Sequence, residues 1–201
     1  MSKALAVAAL GLALAGCGED PPALPPLAQD ALVLAFGDSL THGTGARPHE
    51  SYPAVLAGRI GRDVVNAGVP GEVSAKGLAR LERELDKRRP ALLIICHGGN
   101  DILRKVDPEE TERNLSAMIG LARERGVSVV MIAVPSIGLF LSPADVYGEV
   151  AEAAGVPLED EILAEILGDN RYKSDHVHPN AAGYARMAEA IEALLRSSGA
   201  I

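Results

Sequence analysis

Four short apolar runs, Ala31 to Phe36, Val64 to Val65, Ala91 to Cys96 and Val127 to Val134, recur along the chain. Their starts lie about thirty residues apart, the length of a strand, a crossover helix and a return to a parallel strand. Runs that are apolar throughout, rather than alternating, are expected of strands buried on both faces. Parallel neighbours need long crossover connections, and those connections are right-handed. The expected fold class is therefore α/β: a three-layer α/β/α sandwich around a parallel sheet of about five strands. The fifth would be a short segment, Val156 to Leu158, following Gly155.

The segments between the runs carry helix signals. Asp107 and Pro108 suit an N-cap and first turn, Leu115, Met118, Ile119 and Ala122 share one face, and Gly126 supplies a stop. Ser74 can cap a helix with Leu78, Leu81 and Leu85 in a stripe, and a last helix from Ala181 to about Arg196 aligns Tyr184, Met187, Ala188, Ile191 and Leu195. With 201 residues, one domain is expected.

Composition removes several functions. A formal charge of -8 opposes a phosphate-neutralising nucleic-acid surface or a polybasic membrane patch, so no nucleic-acid partner is expected. Two cysteines, Cys17 and Cys96, supply neither a disulfide framework nor a four-thiolate zinc site. With four Tyr, two Phe and no Trp, base-stacking or sugar-stacking platforms are disfavoured.

At the amino end, Lys3 precedes an apolar run from Ala4 to Leu14. As a helix it would reach roughly 16 Å, about half of a bilayer core, so it reads as a secretory signal rather than a span. Leu14-Ala15-Gly16-Cys17 resembles a bacterial lipobox, which implies cleavage before Cys17 and lipid attachment there; an ordinary cleaved signal is the alternative. The expected division is a signal peptide over 1–16, lipidated Cys17 with a proline-rich tether over 17–29, and a folded domain over 30–201. Pro21, Pro22, Pro25 and Pro26 make that tether stiff, with a reach of about 35 Å. The protein is thus expected to be exported and held through Cys17 to a bacterial envelope membrane.

In an open parallel sheet, functional loops follow the carboxyl ends of the strands. After the first run stands Phe36-Gly37-Asp38-Ser39-Leu40-Thr41, which is neither a phosphate loop nor a G-x-S-x-G elbow. A serine there is more often a helix cap than a nucleophile. The second run leads into Asn66-Ala67-Gly68-Val69-Pro70-Gly71-Glu72 and the third into His97-Gly98-Gly99-Asn100-Asp101. A glycine N–H and an asparagine amide can hold a developing oxyanion, although such glycines can equally serve turns, with Asn100 or Asp101 as a cap. Near the carboxyl end, Ser174-Asp175-His176-Val177-His178-Pro179-Asn180 places Asp175 three residues before His178. That spacing lets a carboxylate hold one imidazole nitrogen while the other faces a serine. His176 and His178 as alternating metal ligands are the alternative, but no complete second ligand pair accompanies them.

Together the four segments resemble the conserved blocks of the SGNH, or GDSL-type, hydrolases, in that family's order from Asp30 to the last helix. The bacterial arylesterase, thioesterase and lysophospholipase group is the most similar. The resemblance implies a flavodoxin-like sandwich and hydrolysis of carboxylic esters, with a small-molecule or lipid ester as substrate and no cofactor or metal. Carried over by position, Ser39 is the nucleophile, His178 its base and Asp175 the orienting acid, while the Ser39 N–H, Gly71 and Asn100 form the oxyanion hole. Asp38 is expected to tie the turn rather than move protons. Pro70 and Val73 stand where that group often has Ser and Thr, and His42 replaces a small residue. Deacetylation of an envelope glycan, or an inactive binding module, are the alternative functions. The loop with Ile137, Leu139, Phe140 and Leu141 is expected either to wall an acyl pocket or to pack on the domain.

Overall fold

The structure is a computed structural model that describes residues 21–136 and 141–201. The apolar runs form β1 (Leu32–Gly37), β2 (Asp63–Gly68), β3 (Leu92–Cys96) and β4 (Ser128–Ile132). Between them lie α1 (Ser39–His42), α2 (Tyr52–Ile60), α3 (Ser74–Arg88), α4 (Gly99–Arg104) and α5 (Pro108–Arg123). Beyond β4, the two-residue strands β5 (Pro135–Ser136) and β6 (Ser142–Pro143) pair antiparallel, followed by α6 (Asp145–Ala154), β7 (Leu158–Glu159), α7 (Ile162–Gly168) and α8 (Ala181–Ser197). The main sheet is parallel in the order β2-β1-β3-β4-β7.

That is the flavodoxin-like order, in which the chain reverses direction across the sheet between β1 and β3 and leaves a crevice at their carboxyl ends. Register makes the floor of the crevice level. Gly37 pairs with both Gly68 and Cys96, so the loops after β1, β2 and β3 begin side by side. β3 is buried along its whole length, as a strand covered on both faces should be. β2 departs from the expectation: it is an edge strand with no fully buried residue, because only one side of it meets another strand. The fifth strand, two residues instead of three, starts two residues later and ends one later than the sequence suggests.

The helices keep their expected core faces, with Leu115, Met118, Ile119 and Ala122 of α5 and Tyr184, Met187, Ala188, Ile191 and Leu195 of α8 all buried. Each fully buried Leu, Ile or Met among them contributes about 1.5–3 kcal/mol relative to exposure. Asp107 caps α5 by accepting the Glu109 N–H at 3.1 Å. Ser74 does not cap α3; it lies inside the first turn, and the Asp101 carboxylate of α4 accepts both its N–H, at 2.8 Å, and its hydroxyl. The α5 stop falls at Arg123, with Gly126 left-handed in the turn before β4.

The proline-rich segment is not free up to Asp30. The Leu24 and Leu27 N–H groups donate to Ser198 O and Ala200 O, both at 2.8 Å, and both leucines are half-buried against the core. The Arg62 guanidinium donates to Leu27 O and Ala28 O, and the Gln29 amide to Gly61 O. The prolines keep this strap extended, and its two leucines give it apolar purchase along the amino edge of the sheet. The apolar run before Cys17, and Cys17 itself, lie outside the described residues. Cys96 is a buried free thiol in β3. Among the described residues no helix is long and apolar enough to cross a membrane.

Candidate active site

Ser39 opens the single turn of α1 directly after β1, and Asp38 caps that turn by accepting the Leu40 N–H at 3.0 Å. Gly37 is required by proximity rather than by a turn conformation. A Cβ there would stand 2.0 Å from Cys96 O and 2.4 Å from Thr41 Oγ1, so only glycine lets β1 end this close to β3.

The segment carrying Asp175 and His178 reaches the same edge from the loop before α8. It is pinned by the Ser174 N–H donating to His178 O at 2.9 Å and by the Asn180 amide donating to Arg171 O at 2.9 Å. His178 Nε2 lies 3.0 Å from Ser39 Oγ, and His178 Nδ1 lies 2.8 Å from Asp175 Oδ2. The other Asp175 oxygen accepts the N–H groups of Val177 and His178, at 2.8 and 2.9 Å. Burial raises the Asp175 carboxyl, but the His178 hydrogen bond and these N–H groups outweigh it and hold the group below its ordinary value. His176 is exposed on the rim of the cavity and takes part in neither contact. Both ring nitrogens of His178 are engaged, and among the described residues no three His, Cys, Asp or Glu side chains gather as metal ligands.

Gly71 sits in the left-handed region at φ 76°, where a side chain would be strained, and its carbonyl accepts Arg104 Nη2 at 2.9 Å. Among the described residues, neither the Ser39 nor the Gly71 N–H donates to a protein acceptor. Asn100 Nδ2 donates to Asp38 Oδ2 and to Glu72 O, both at 3.1 Å. Asp38 thus does more than tie its own turn: it links the β1 and β3 loops through Asn100. Its carboxyl is raised above the ordinary value by burial, with His97, the Leu40 N–H and the Asn100 amide pulling the other way. In the third loop Asp101 is not an N-cap: it lies in the first turn of α4 and accepts the Ser74 N–H of α3, while Asn100 faces the site.

Above Ser39, Asn100 and His178 opens a cavity of about 280 Å³, walled by Leu40, Ile102, Leu103, Val134, Leu141 and Leu167. Leu103 and Leu141 are exposed at its rim, 49% and 37% respectively. Of the apolar loop expected to border the cleft, Leu141 does so, whereas Ile137, Leu139 and Phe140 lie outside the described residues. The walls from α4 and α7 were missed in the sequence because Leu103 and Leu167 look like ordinary helix residues there. A few convergent polar groups under an apolar enclosure suit an ester with an apolar acyl or aryl part.

Fold and site together define the class: an ester-hydrolysing serine enzyme built on a flavodoxin-like sandwich. Residues 35–186 match the GDSL-like Lipase/Acylhydrolase family, and the chain belongs to that family. It is 34% identical over 192 residues to Esterase TesA of Pseudomonas aeruginosa, covering 89% of this chain and 94% of that protein. It is 33% identical over 168 residues to the Arylesterase of Vibrio mimicus, covering 78% and 84%. Among solved structures, that of TesA superposes with a TM-score of 0.75 at 30% identity, covering 83% of this chain and 99% of the other.

Proposed function

We propose that the chain hydrolyses carboxylic esters, including aryl esters, thioesters or lysophospholipids, through an acyl-enzyme on Ser39. The observation that carries this reading is the unbroken Ser39, His178, Asp175 chain of contacts at 3.0 and 2.8 Å. His178 Nε2 takes the Ser39 hydroxyl proton as Oγ attacks the ester carbonyl, and the tetrahedral intermediate forms. As it collapses, His178 gives that proton to the leaving alkoxide or thiolate. Water then attacks the acyl-enzyme with His178 again as base, releasing the acid and restoring Ser39. Asp175 holds the imidazole in the tautomer with the proton on Nδ1 and stabilises the imidazolium.

The oxyanion is received by the Ser39 and Gly71 N–H groups and by Asn100 Nδ2. In the resting site both hydrogens of the Asn100 amide already have acceptors. The hydrogen facing the neutral Glu72 carbonyl is shared with the developing oxyanion rather than surrendered to it, a contact that strengthens only as charge appears. The apolar walls favour an acyl or aryl group over a glycan. A fluorophosphonate is expected to label Ser39 alone, and p-nitrophenyl esters are expected to turn over in wild type but not in Ser39→Ala, with excess chelator leaving the rate unchanged. Turnover that survives Ser39→Ala, or that needs added zinc, overturns the reading.

We infer further that the protein is exported and held to an envelope membrane by lipid on Cys17. The support is the signal-like run ending in Leu14-Ala15-Gly16-Cys17. Cys17→Ser is expected to lose partitioning into detergent, and unchanged partitioning and mass contradict the anchor.

A further inference from the structure

The residue after Gly71 is the hub of a buried polar cluster that the reaction steps do not use. The Glu72 carboxylate, whose side chain is 7% exposed, accepts Arg80 Nε at 2.9 and 2.8 Å on its two oxygens, with Arg80 Nη2 also 2.8 Å away. His97, fully buried, brings Nε2 to 3.2 Å from the same carboxylate. The Gly98 N–H donates to His97 Nδ1 at 3.0 Å, which places the ring proton on Nε2, facing Glu72. Tyr147 Oη fixes the backbone there by donating to His97 O at 2.8 Å.

Arg80 reaches further. Its Nη2 donates to Gly37 O at 3.2 Å and Ala67 O at 2.8 Å, at the ends of β1 and β2, and its guanidinium lies 4.0 Å over the Phe36 ring. One side chain on α3 therefore ties the ends of two strands to the loop carrying Gly71, and His97 ties that loop to the end of β3. A buried ion pair of this kind is weak evidence of stabilisation, because packed apolar groups often serve as well. Its position suggests another use. The peptide that joins Gly71 to Glu72 sets the Gly71 backbone, and the Glu72 carbonyl receives Asn100 Nδ2 at 3.1 Å.

We propose that Arg80, Glu72 and His97 are positioning residues for the oxyanion hole, holding the Gly71 N–H and the Asn100 amide at the separation a tetrahedral intermediate requires. The inference rests on the acyl-enzyme reading above. None of the three side chains lines the cavity or hydrogen-bonds to Ser39, so they act through the two donors. Misplacement of catalytic groups by about 1 Å is enough to cost on the order of 10²-fold in rate. Ground-state affinity resides in the apolar cavity, which the network does not line, so KM is spared.

The test compares Arg80→Met, Arg80→Lys and Glu72→Gln with wild type for kcat, KM, melting temperature and the rate of Ser39 phosphonylation by a fluorophosphonate. Arg80→Met is expected to lower kcat about 10- to 100-fold with KM within about threefold. Phosphonylation, which builds negative charge against the same donors, falls by a similar factor, and Arg80→Lys recovers part of both. Gly77→Ala perturbs the network without changing a charge: its Cβ would come within 2.3 Å of His97 Nε2, pushing the ring off Glu72. It is expected to move kcat and phosphonylation in the same direction. Variants that melt earlier yet keep wild-type kcat and phosphonylation reduce the cluster to a structural staple and overturn the proposal. Failure of wild type itself to label at Ser39 overturns the acyl-enzyme reading and this inference with it; labelled wild type beside unaffected variants overturns this inference alone.

Discussion

Replacing Asn100 by Ala removes a donor from the place where negative charge develops and also removes a partner from buried Asp38, and the two consequences separate by size and by pH. On the rate, loss of one oxyanion donor costs about 10² to 10³ in kcat, or about 2.7–4 kcal/mol, with little change in KM. On stability, Asp38 is 1% exposed, and its Oδ2 loses the Asn100 amide while Oδ1 keeps the Leu40 N–H. A buried acceptor stranded in this way costs about 1–3 kcal/mol. The carboxyl already sits above its ordinary value of 3.8 because burial outweighs His97, the Leu40 N–H and the Asn100 amide, and losing the amide pushes it higher. A carboxyl raised in the folded state binds its proton more tightly there than when unfolded. Its stability penalty is therefore absent below the unfolded value and grows as pH rises toward the folded one. Urea midpoints at about pH 4 and about pH 8 should show Asn100→Ala further below wild type at the higher pH. In an Asp38→Asn background the pH-dependent part should vanish while the rate deficit of the Asn100 change remains. A kcat within about threefold of wild type, or a stability deficit equal at both pH values, would refute the reasoning.

Asp175→Asn should lower kcat by about 10⁴. Its Oδ1 position accepts two backbone N–H groups, so the new amide turns its NH2 toward His178 and imposes the tautomer that cannot take the Ser39 proton; a loss of less than about tenfold contradicts the triad. Leu103→Ala, at the exposed rim, should lower kcat/KM for octanoyl relative to acetyl esters by about tenfold, and superimposable chain-length profiles would mean that the rim does not touch the acyl group. Leu24→Ala and Leu27→Ala should each cost about 1–2 kcal/mol in urea unfolding, less than a fully buried leucine, with kcat unchanged; no loss would mean that the strap is not docked in solution.

The sequence made β1, β3 and β4 readable because runs covered on both faces leave no alternation to misread. β2 was harder, since an edge strand with only Val64 and Val65 apolar at its centre carries a weak signal. The strap reads as a stiff tether because four prolines outweigh two leucines in any local reading, and its docking depends on carbonyls at Ser198 and Ala200 at the far end of the chain. Ser39, Gly71, Asn100, Asp175 and His178 could be picked out because each sits in a short block. What holds them could not be. Asp38 and Asn100 are 62 residues apart, and Arg80 lies on a charged helix between Leu78 and Leu81, where it looks like part of a solvated face. The register of β1 and β2 brings the Gly37 and Ala67 carbonyls side by side, where that arginine reaches both.

The strap gives the molecule a polarity that bears on how it can be held. Ala23 and Leu24 border the start of β4, beside Gly126, Ser128 and Gly155, and the chain after α8 returns to the same edge at Ser198 and Ala200. The cavity over Ser39 opens at the other edge, beyond strands of up to six residues that rise about 3.3 Å per residue, so roughly 20 Å of sheet and the loops at either end separate the two. A lipid, resin or fusion partner attached upstream of Pro21 or beyond Ile201 therefore pulls on the base of the domain, at the edge opposite its mouth, and leaves the cavity over Ser39 unobstructed by the attachment.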